Sequence, residues 1–491
     1  MSRALRTVVI AFAVAVAGCG SPGDTKATDL AAPIEDATAL TDATRPPPDL
    51  AMRPALVSPA EATDTDPAPD IVHIRLTAAR HRFDVHDTSV DGFAYNGQVP
   101  GPTIRARLGD RLIVDLDNQL PVATTIHWHG LKVPYSMDGV TWQHAPIAAG
   151  ARFQYTFQLT QAGTFWYHPH FDSSEQVDRG LYGVLVVEDP AEPRTDAELI
   201  LVLDAFGEGR AEADGGAPSE GDAGVTADGG AAHGGGGAHQ DRARLWTVNR
   251  QHMPLARLTG GQTVRVRLLN ASTGGYVDLR QPAMRQIASD QGLLPKLRLP
   301  SSLVLAPGDR AELEWLVGSD GFMIENAPYS AQGGAAVGAP EELLSVAVDR
   351  PAAAPSGRSW AFSGRAPSAD PPYSDIVWVL QGEGDRWFIN GELFPDVTIE
   401  RLAYGANAII EVRNLSASEH PFHLHGYAFE VLSAGGKRAL DYTLEDTINV
   451  PTYGTVRLRL RADNPGDWMA HCHILSHAEG GMMTILRVDS P

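Results

Sequence analysis

Three times in this 491-residue chain one pattern recurs: a turn containing Asn, a Pro, a Gly turn, then an alternating strand that ends in Asn. Tyr95-Asn96-Gly97 leads through Pro100, Thr103-Ile104 and Gly109 to Leu112-Ile113-Val114-Asp115-Leu116 and Asn118. Thr247-Val248-Asn249 leads through Pro254 and Gly261 to Val264-Arg265-Val266-Arg267-Leu268 and Asn270. Ile389-Asn390-Gly391 leads through Pro395, Thr398-Ile399 and Gly405 to Ile409-Ile410-Glu411-Val412-Arg413 and Asn414. The spacings between the paired Asn residues are 22, 21 and 24. A strand that alternates apolar and polar residues buries one face only. Three copies of such a unit predict three similar all-β domains, sandwiches or barrels, near residues 71–190, 195–350 and 373–491. The 49 Gly and 35 Pro fit many turns and short strands rather than long helices. A Pro-rich link, residues 351–372, precedes the last domain.

The remaining segments read differently. Arg3 and Arg6, an apolar stretch from Val8 to Ala17, and Val16-Ala17-Gly18-Cys19 form a secretory leader ending in a bacterial lipobox. Cys19 is then the lipidated first residue of a mature protein held at the cell envelope, on the periplasmic side or at the outer membrane. Gly20 rather than Asp after it favours the outer membrane. No other apolar run is long enough to span a bilayer, so the membrane enters only through that anchor. Residues 20–70, rich in Ala, Asp, Thr and Pro, predict a disordered tether. Residues 207–242, rich in Gly, Ala, Asp and Glu, predict a flexible insert in the second domain; its His233 and His239 could collect metal ions. The net charge of -21 argues against nucleic acid or anionic lipid as a partner. Cys19 and Cys472 are the only two cysteines, which leaves no structural disulfide once both are otherwise engaged.

Four segments carry His-X-His: His127-Trp128-His129, His168-Pro169-His170, His423-Leu424-His425 and His471-Cys472-His473. Residues i and i+2 of a strand share a face, so each pair can present two imidazoles to one place. Two pairs lie in the first repeat and two in the third, which predicts a cluster of several metals at the interface between those domains. The fourth pair brackets Cys472, whose side chain points the other way. His420, Cys472 and His477, with Met482 ten residues after the Cys, then supply two imidazoles, a thiolate and a weak axial thioether, the ligand set of a blue-copper site.

His127-Trp128-His129-Gly130, Tyr167-His168-Pro169-His170, His420-Pro421-Phe422-His423-Leu424-His425-Gly426 and the run from His471 to Met482 resemble the four copper motifs of three-domain multicopper oxidases, the laccase-like group. The resemblance covers roughly residues 80–491. It implies three cupredoxin-like Greek-key domains and four coppers per chain: one type 1, one type 2 and two type 3. Carried over, His127 and His423 would bind the type 2 copper. His129, His168, His170, His425, His471 and His473 would bind the type 3 pair, and His420, Cys472, His477 and Met482 the type 1 copper.

The implied reaction takes one electron at a time from a small reductant docked near His420 or His477, passes it through Cys472, and reduces O2 to water. Water formation needs protons. Asp138 stands where the family places a carboxylate near the cluster and is assigned proton delivery. A second family acid usually follows the last type 1 His directly; here that position is Ala478, and Glu479 stands one residue later as the candidate. The expected reductant is a phenol or aromatic amine. A metal ion, Cu(I), Fe(II) or Mn(II), is the alternative; nine Met with no cluster beyond Met482-Met483 weigh against Cu(I), while the acidic insert speaks for Fe(II) or Mn(II). A non-catalytic copper-binding envelope protein is the remote reading, since no ligand is missing. A two-domain copper nitrite reductase lacks the ligands of the second centre.

Overall fold

A computed structural model describes residues 50–207 and 244–491. The leader with Cys19, the tether up to residue 49, and the insert from residue 208 onward, with His233 and His239, lie outside the described residues.

Among the described residues six sheets pair into three sandwiches, and no sheet crosses from one sandwich to another. The first is built within residues 71–188, the second within 197–349 and the third within 376–488. In each, the strand ending in the repeat Asn pairs in parallel with the domain's first strand: Ile71–Ala78 beside Arg111–Asn118, Ala197–Leu203 beside Val264–Asn270, Ile376–Leu380 beside Ile410–Asn414. Alternate residues of these strands point into cores around Trp128, Tyr155 and Tyr167 in the first domain, Trp315 and Leu313 in the second, and Trp378, Phe422 and Trp468 in the third.

The repeat Asn residues have one task in all three domains. Asn96, Asn249 and Asn390 adopt left-handed backbone at φ 52, 51 and 56, which Asn tolerates better than most residues. Each accepts a backbone N–H through Oδ1, from Thr77, Val202 and Val379, and returns Nδ2–H to a carbonyl two residues earlier. The strand-ending Asn118, Asn270 and Asn414 tie down the following loop in the same way, with Nδ2 donating to carbonyls of Ile147, Leu305 and Val450. In the third domain this lattice runs on. Ser416 Oγ donates to Asn414 Oδ1 and lies 2.7 Å from His420 Nε2, so the turn that closes the fold also holds a candidate ligand.

The second domain carries none of the His-X-His pairs but locks the other two together. Arg310, fully buried, donates to the Thr164 carbonyl of the first domain (3.0 Å) and to Asp446 Oδ1 of the third (2.7 Å). Glu312, also fully buried, takes Arg265 and Arg267 from its own domain and the Thr164 hydroxyl from the first. A buried charge is tolerable only when paired in this manner.

The tether expectation needs correction over its last part. Residues 53–70 are strapped to the first two domains by main-chain pairing: Leu56 N–H to Leu255 O, Ala62 N–H to Thr103 O, Thr103 N–H back to Ala60 O, and Thr65 N–H to His73 O. Arg53 adds an ion pair with Glu342. Such docking rests on backbone groups at sheet edges, which leave no apolar periodicity to read. The link 351–372 is docked too, with Trp360 buried against Ile287 and Ala288 and donating Nε1–H to Glu314.

Candidate metal centre

The first pair, His127–His129, is an edge strand of the first domain, antiparallel to Gly163–His168, with His127 opposite His168. The third, in strand His420–Leu424, lies beside Gly466–Cys472, with His423 opposite His471 and Phe422 opposite Cys472. His170 and His473 stand just beyond their strands, each followed by a short helix, Ser173–Asp178 and Leu475–Glu479. All eight imidazoles meet where the two domains face each other. Their ligand atoms gather within 4.8 Å as His127/His129/His423, His129/His168/His473 and His170/His425/His471.

Members of one His-X-His pair mostly join different groups. His127 and His129 do meet in one group, while the members of the other three pairs turn to different groups. Convergence comes instead from crossing the domains. His127 stacks on His425 (3.8 Å between centroids, 26°), and His129 on His423 (3.7 Å, 12°).

The second nitrogen of most rings is already spent. Nδ1 of His127, His168, His423 and His471 lies 2.8–3.0 Å from the carbonyl oxygens of Asp138, Pro169, Asp446 and Cys472. Nδ1 of His425 lies 2.8 Å from Asp138 Oδ2. A carbonyl only accepts, so each of these rings is the Nδ1–H tautomer and turns a bare Nε2 inward. The buried Nε2 atoms of His127, His168 and His423 have no protein partner. His425 Nε2 and His471 Nε2 stand 3.1 Å apart with no hydrogen between them. Opposed lone pairs at that distance call for a proton or a cation. Burial, with neighbouring imidazoles adding to it, holds His168, His170, His425, His471 and His473 well below the ordinary 6.5, so protonation is resisted and a cation fits.

The second ligand group stands on the other face of the strand. Cys472 Sγ is 3.5 Å from His420 Nδ1 and 3.7 Å from His477 Nδ1, and the two Nδ1 atoms are 3.3 Å apart. Ser416 takes up Nε2 of His420. His420, Cys472 and Met482 are fully buried, whereas His477 is half-buried and Met483 partly exposed. Met482 shares the core cluster of Cys472, and its carbonyl accepts the Cys472 N–H at 3.2 Å. Burial pushes the Cys472 thiol far up and pulls His420 down to about 4; burial and the neighbouring His420 bring His477 to about 3. A soft cation bound among them would reverse the penalty on the thiolate. Thiolate, imidazole and thioether together suit copper.

Asp138 is fully buried between the domains. Oδ2 accepts from His425 of the third domain, and Oδ1 lies 3.2 Å from His127 Nδ1 of the first. Gly139 shapes this turn: its φ is +87, and a Cβ there would lie 1.9 Å from the Ile126 carbonyl oxygen. Glu479 is placed elsewhere. It is exposed, and its Oε1 accepts the Ser174 N–H at 2.8 Å, while Ala478 occupies the buried position. Among the described residues Glu479 joins none of the groups that could hold a metal ion.

Asp446 was not singled out by the sequence, yet it mirrors Asp138. Its carbonyl accepts from His423 of its own domain, and its Oδ1 lies 3.0 Å from His129 Nε2 of the other. Burial alone would raise its carboxyl, but Arg310 and hydrogen bonds from Arg310, His129 and His423 hold it well below the usual range. The only local signal is a carboxylate inside the β-like run Glu445-Asp446-Thr447-Ile448-Asn449-Val450.

Family models described as multicopper oxidase match residues 78–192 and 369–491. The solved multi-copper oxidase from Pseudomonas thermotolerans is 30% identical with a TM-score of 0.71, over 86% of this chain and 100% of that one. Multicopper oxidase MmcO of Mycobacterium tuberculosis is 28% identical over 446 residues, 84% of this chain and 86% of its own. Laccase-1 of Trametes villosa is 28% identical over 477 residues, 82% of this chain and 88% of its own.

The depressed His values set a pH window. In unfolded chain these imidazoles take protons below 6.5, while in the metal-free fold His420 resists until about 4. The unfolded state therefore binds more protons as pH falls, and stability is lost through that window. The thermal midpoint of metal-free protein should fall steadily between pH 6.5 and about 4, and copper loading should raise it most at the upper end. A flat profile across the window would contradict the buried, neutral imidazoles.

Proposed function

The chain belongs to the multicopper oxidase family and is a copper-dependent oxidoreductase with O2 as acceptor; from that premise we propose that its reductants are phenols and related aromatic compounds. Four coppers per chain fit the ligand groups: type 1 at His420, Cys472, His477 and Met482, type 2 at His127 and His423, and a type 3 pair at His129/His168/His473 and His170/His425/His471. Bound there, copper would supply one-electron acceptance on the Cys472 side and four-electron reduction of O2 on the imidazole side.

The residues of the chain do the rest. Cys472 is joined covalently to His471 and His473, and its carbonyl accepts the His471 Nδ1–H at 2.8 Å, so one segment bridges the two ligand groups. Asp138, whose main-chain carbonyl accepts from His127 and whose Oδ2 accepts from His425, would hold and pass protons toward the cluster.

The observation that carries the choice of reductant is a cavity of about 310 Å3 whose walls include Trp246, Tyr276 and Tyr329. It lies against the segment leading into His420. Ala331 on its wall accepts the Glu419 N–H at 2.7 Å, and Glu419 accepts hydrogen bonds from Tyr329 Oη and Asn449 Nδ2, each 2.6 Å. Three aromatic rings among polar and small residues, with the Glu419 carboxylate behind Tyr329, suit a phenol that must lose a proton as it loses an electron. The leader ending at Cys19 supports the further proposal of an exported enzyme anchored by lipid to the cell envelope.

O2 consumption by copper-loaded protein should be faster with methoxyphenols than with Cu(I), Fe(II) or Mn(II); higher kcat/KM for any of these ions would make it a metallo-oxidase. Asp138→Asn should retain blue absorption and slow O2 uptake by about 100-fold, within the range of a lost acid–base group; unchanged turnover would remove Asp138 from proton delivery. Cys19→Ala should release the protein from membranes and abolish labelling by fatty acid in bacterial cells, and a labelled variant would end the anchor proposal.

A further inference from the structure

Of the four candidate ligands His420, Cys472, His477 and Met482, His477 alone is not fully buried, so its imidazole offers an electron the shortest way in from the surface. That ring is covered. The Trp387 indole lies on it with centroids 3.7 Å apart and planes 26° from parallel, and stands edge-on to His420 at 5.3 Å. Trp387 belongs to the hairpin Ile376–Glu383/Arg386–Ile389, and its main-chain N–H donates to the Gly480 carbonyl at 2.9 Å, which pins the hairpin to the helix carrying His477.

The surroundings are cut to fit the indole. Gly382 faces Trp387 across the hairpin, and a Cβ on it would lie 2.4 Å from the ring's Cζ3. A Cβ on Gly480 would lie 2.7 Å from Cδ1. Neither glycine is in the left-handed region; Gly480 has φ -72. Backbone conformation therefore does not require glycine at either position; the indole fills the space beside Gly382, and at Gly480 the indole and the Asp385 carbonyl oxygen, 2.8 Å from such a Cβ, fill it together.

We propose that Trp387 is a specificity-determining shield over His477. This rests on the reading of the enzyme as an oxidase of aromatic donors. A donor that would stack on the imidazole meets the indole instead, and substituents flanking its hydroxyl keep it further from the imidazole. Small, flat donors can reach the uncovered edge of the ring; bulky ones are held off. Electron transfer remains a single electron passed from donor to the His477 side, with the donor's proton released to solvent or a carboxylate, so the shield changes distance and not chemistry.

Two measurements on the full chain test this. In copper-loaded protein without O2, the rate at which excess donor bleaches the blue absorption reports electron entry alone. Trp387→Ala should raise that rate about tenfold for syringol, a scale typical of one steric contact in a pocket, and change it much less for hydroquinone, with Trp387→Phe close to the native protein. In copper-free protein, diethyl pyrocarbonate followed by peptide mass mapping should label His477 slowly in the native chain and rapidly in Trp387→Ala. Gly382→Val, which displaces the indole without removing it, should match the Ala variant in both assays and replaces it if that variant does not fold. Slower bleaching with both donors would mean that the indole conducts rather than shields, and equal labelling of His477 would mean that it covers nothing; either overturns the proposal. A native enzyme inactive on every phenol would instead refute the assignment of reductant, while the labelling result would still decide on the shield.

Discussion

Hydrogen bonds from imidazole Nδ1 to protein acceptors decide what the interface between the first and third domains can be. Each such bond fixes a tautomer and turns a bare Nε2 into a space with no protein partner for it. The acceptors are mainly backbone carbonyls that rise or fall with the fold itself. Preorganisation of the centre is thus a property of strand register. His127 opposite His168 and His423 opposite His471 place the rings, and a slip of one residue would turn the imidazoles on these strands to the wrong face.

Two carboxylates give the arrangement an approximate two-fold character. Asp138 supports His127 in its own domain and His425 across the interface; Asp446 supports His423 in its own and His129 across it. The third domain appends what the first lacks. Its Asn414-Ser416 turn reaches His420, and the far face of its Gly466–Cys472 strand carries the thiol. The middle domain holds these halves in register through Arg310, which touches both.

Much of this was legible in the chain. The repeated Asn turns gave three domains, and in the structure each Asn performs the same backbone bridging. The eight paired His and the set around Cys472 also gathered as the sequence reading expected, because alternation along a strand is a local rule. Distribution of the pairs over separate groups was implied by the family resemblance and not by strand alternation, since it depends on how two domains cross. Asp446 and Arg310 were invisible for a related reason: a lone acid and a lone base carry no spacing signal until the fold brings them within hydrogen-bond reach. The docked strap at 53–70 escaped because sheet edges recruit backbone, which every residue has. Glu479 was a candidate by its place one residue from the family's position, and in the structure its carboxylate accepts the Ser174 N–H.

The sequence by itself determined the chemistry: which residue types can bind copper, on how many strands, and that one of them bears ligands on both faces. Periodicity two and fixed motif spacing are covalent facts, and no packing can alter them. Tertiary structure alone decided how rings from two domains interleave, which acids stand behind them, and how His477 meets its surroundings. The indole of Trp387 lies on that imidazole across 90 residues of chain because two glycines leave room for it. Contacts of that kind are set by volume and by the meeting of distant segments, and neither has a period that a sequence can display.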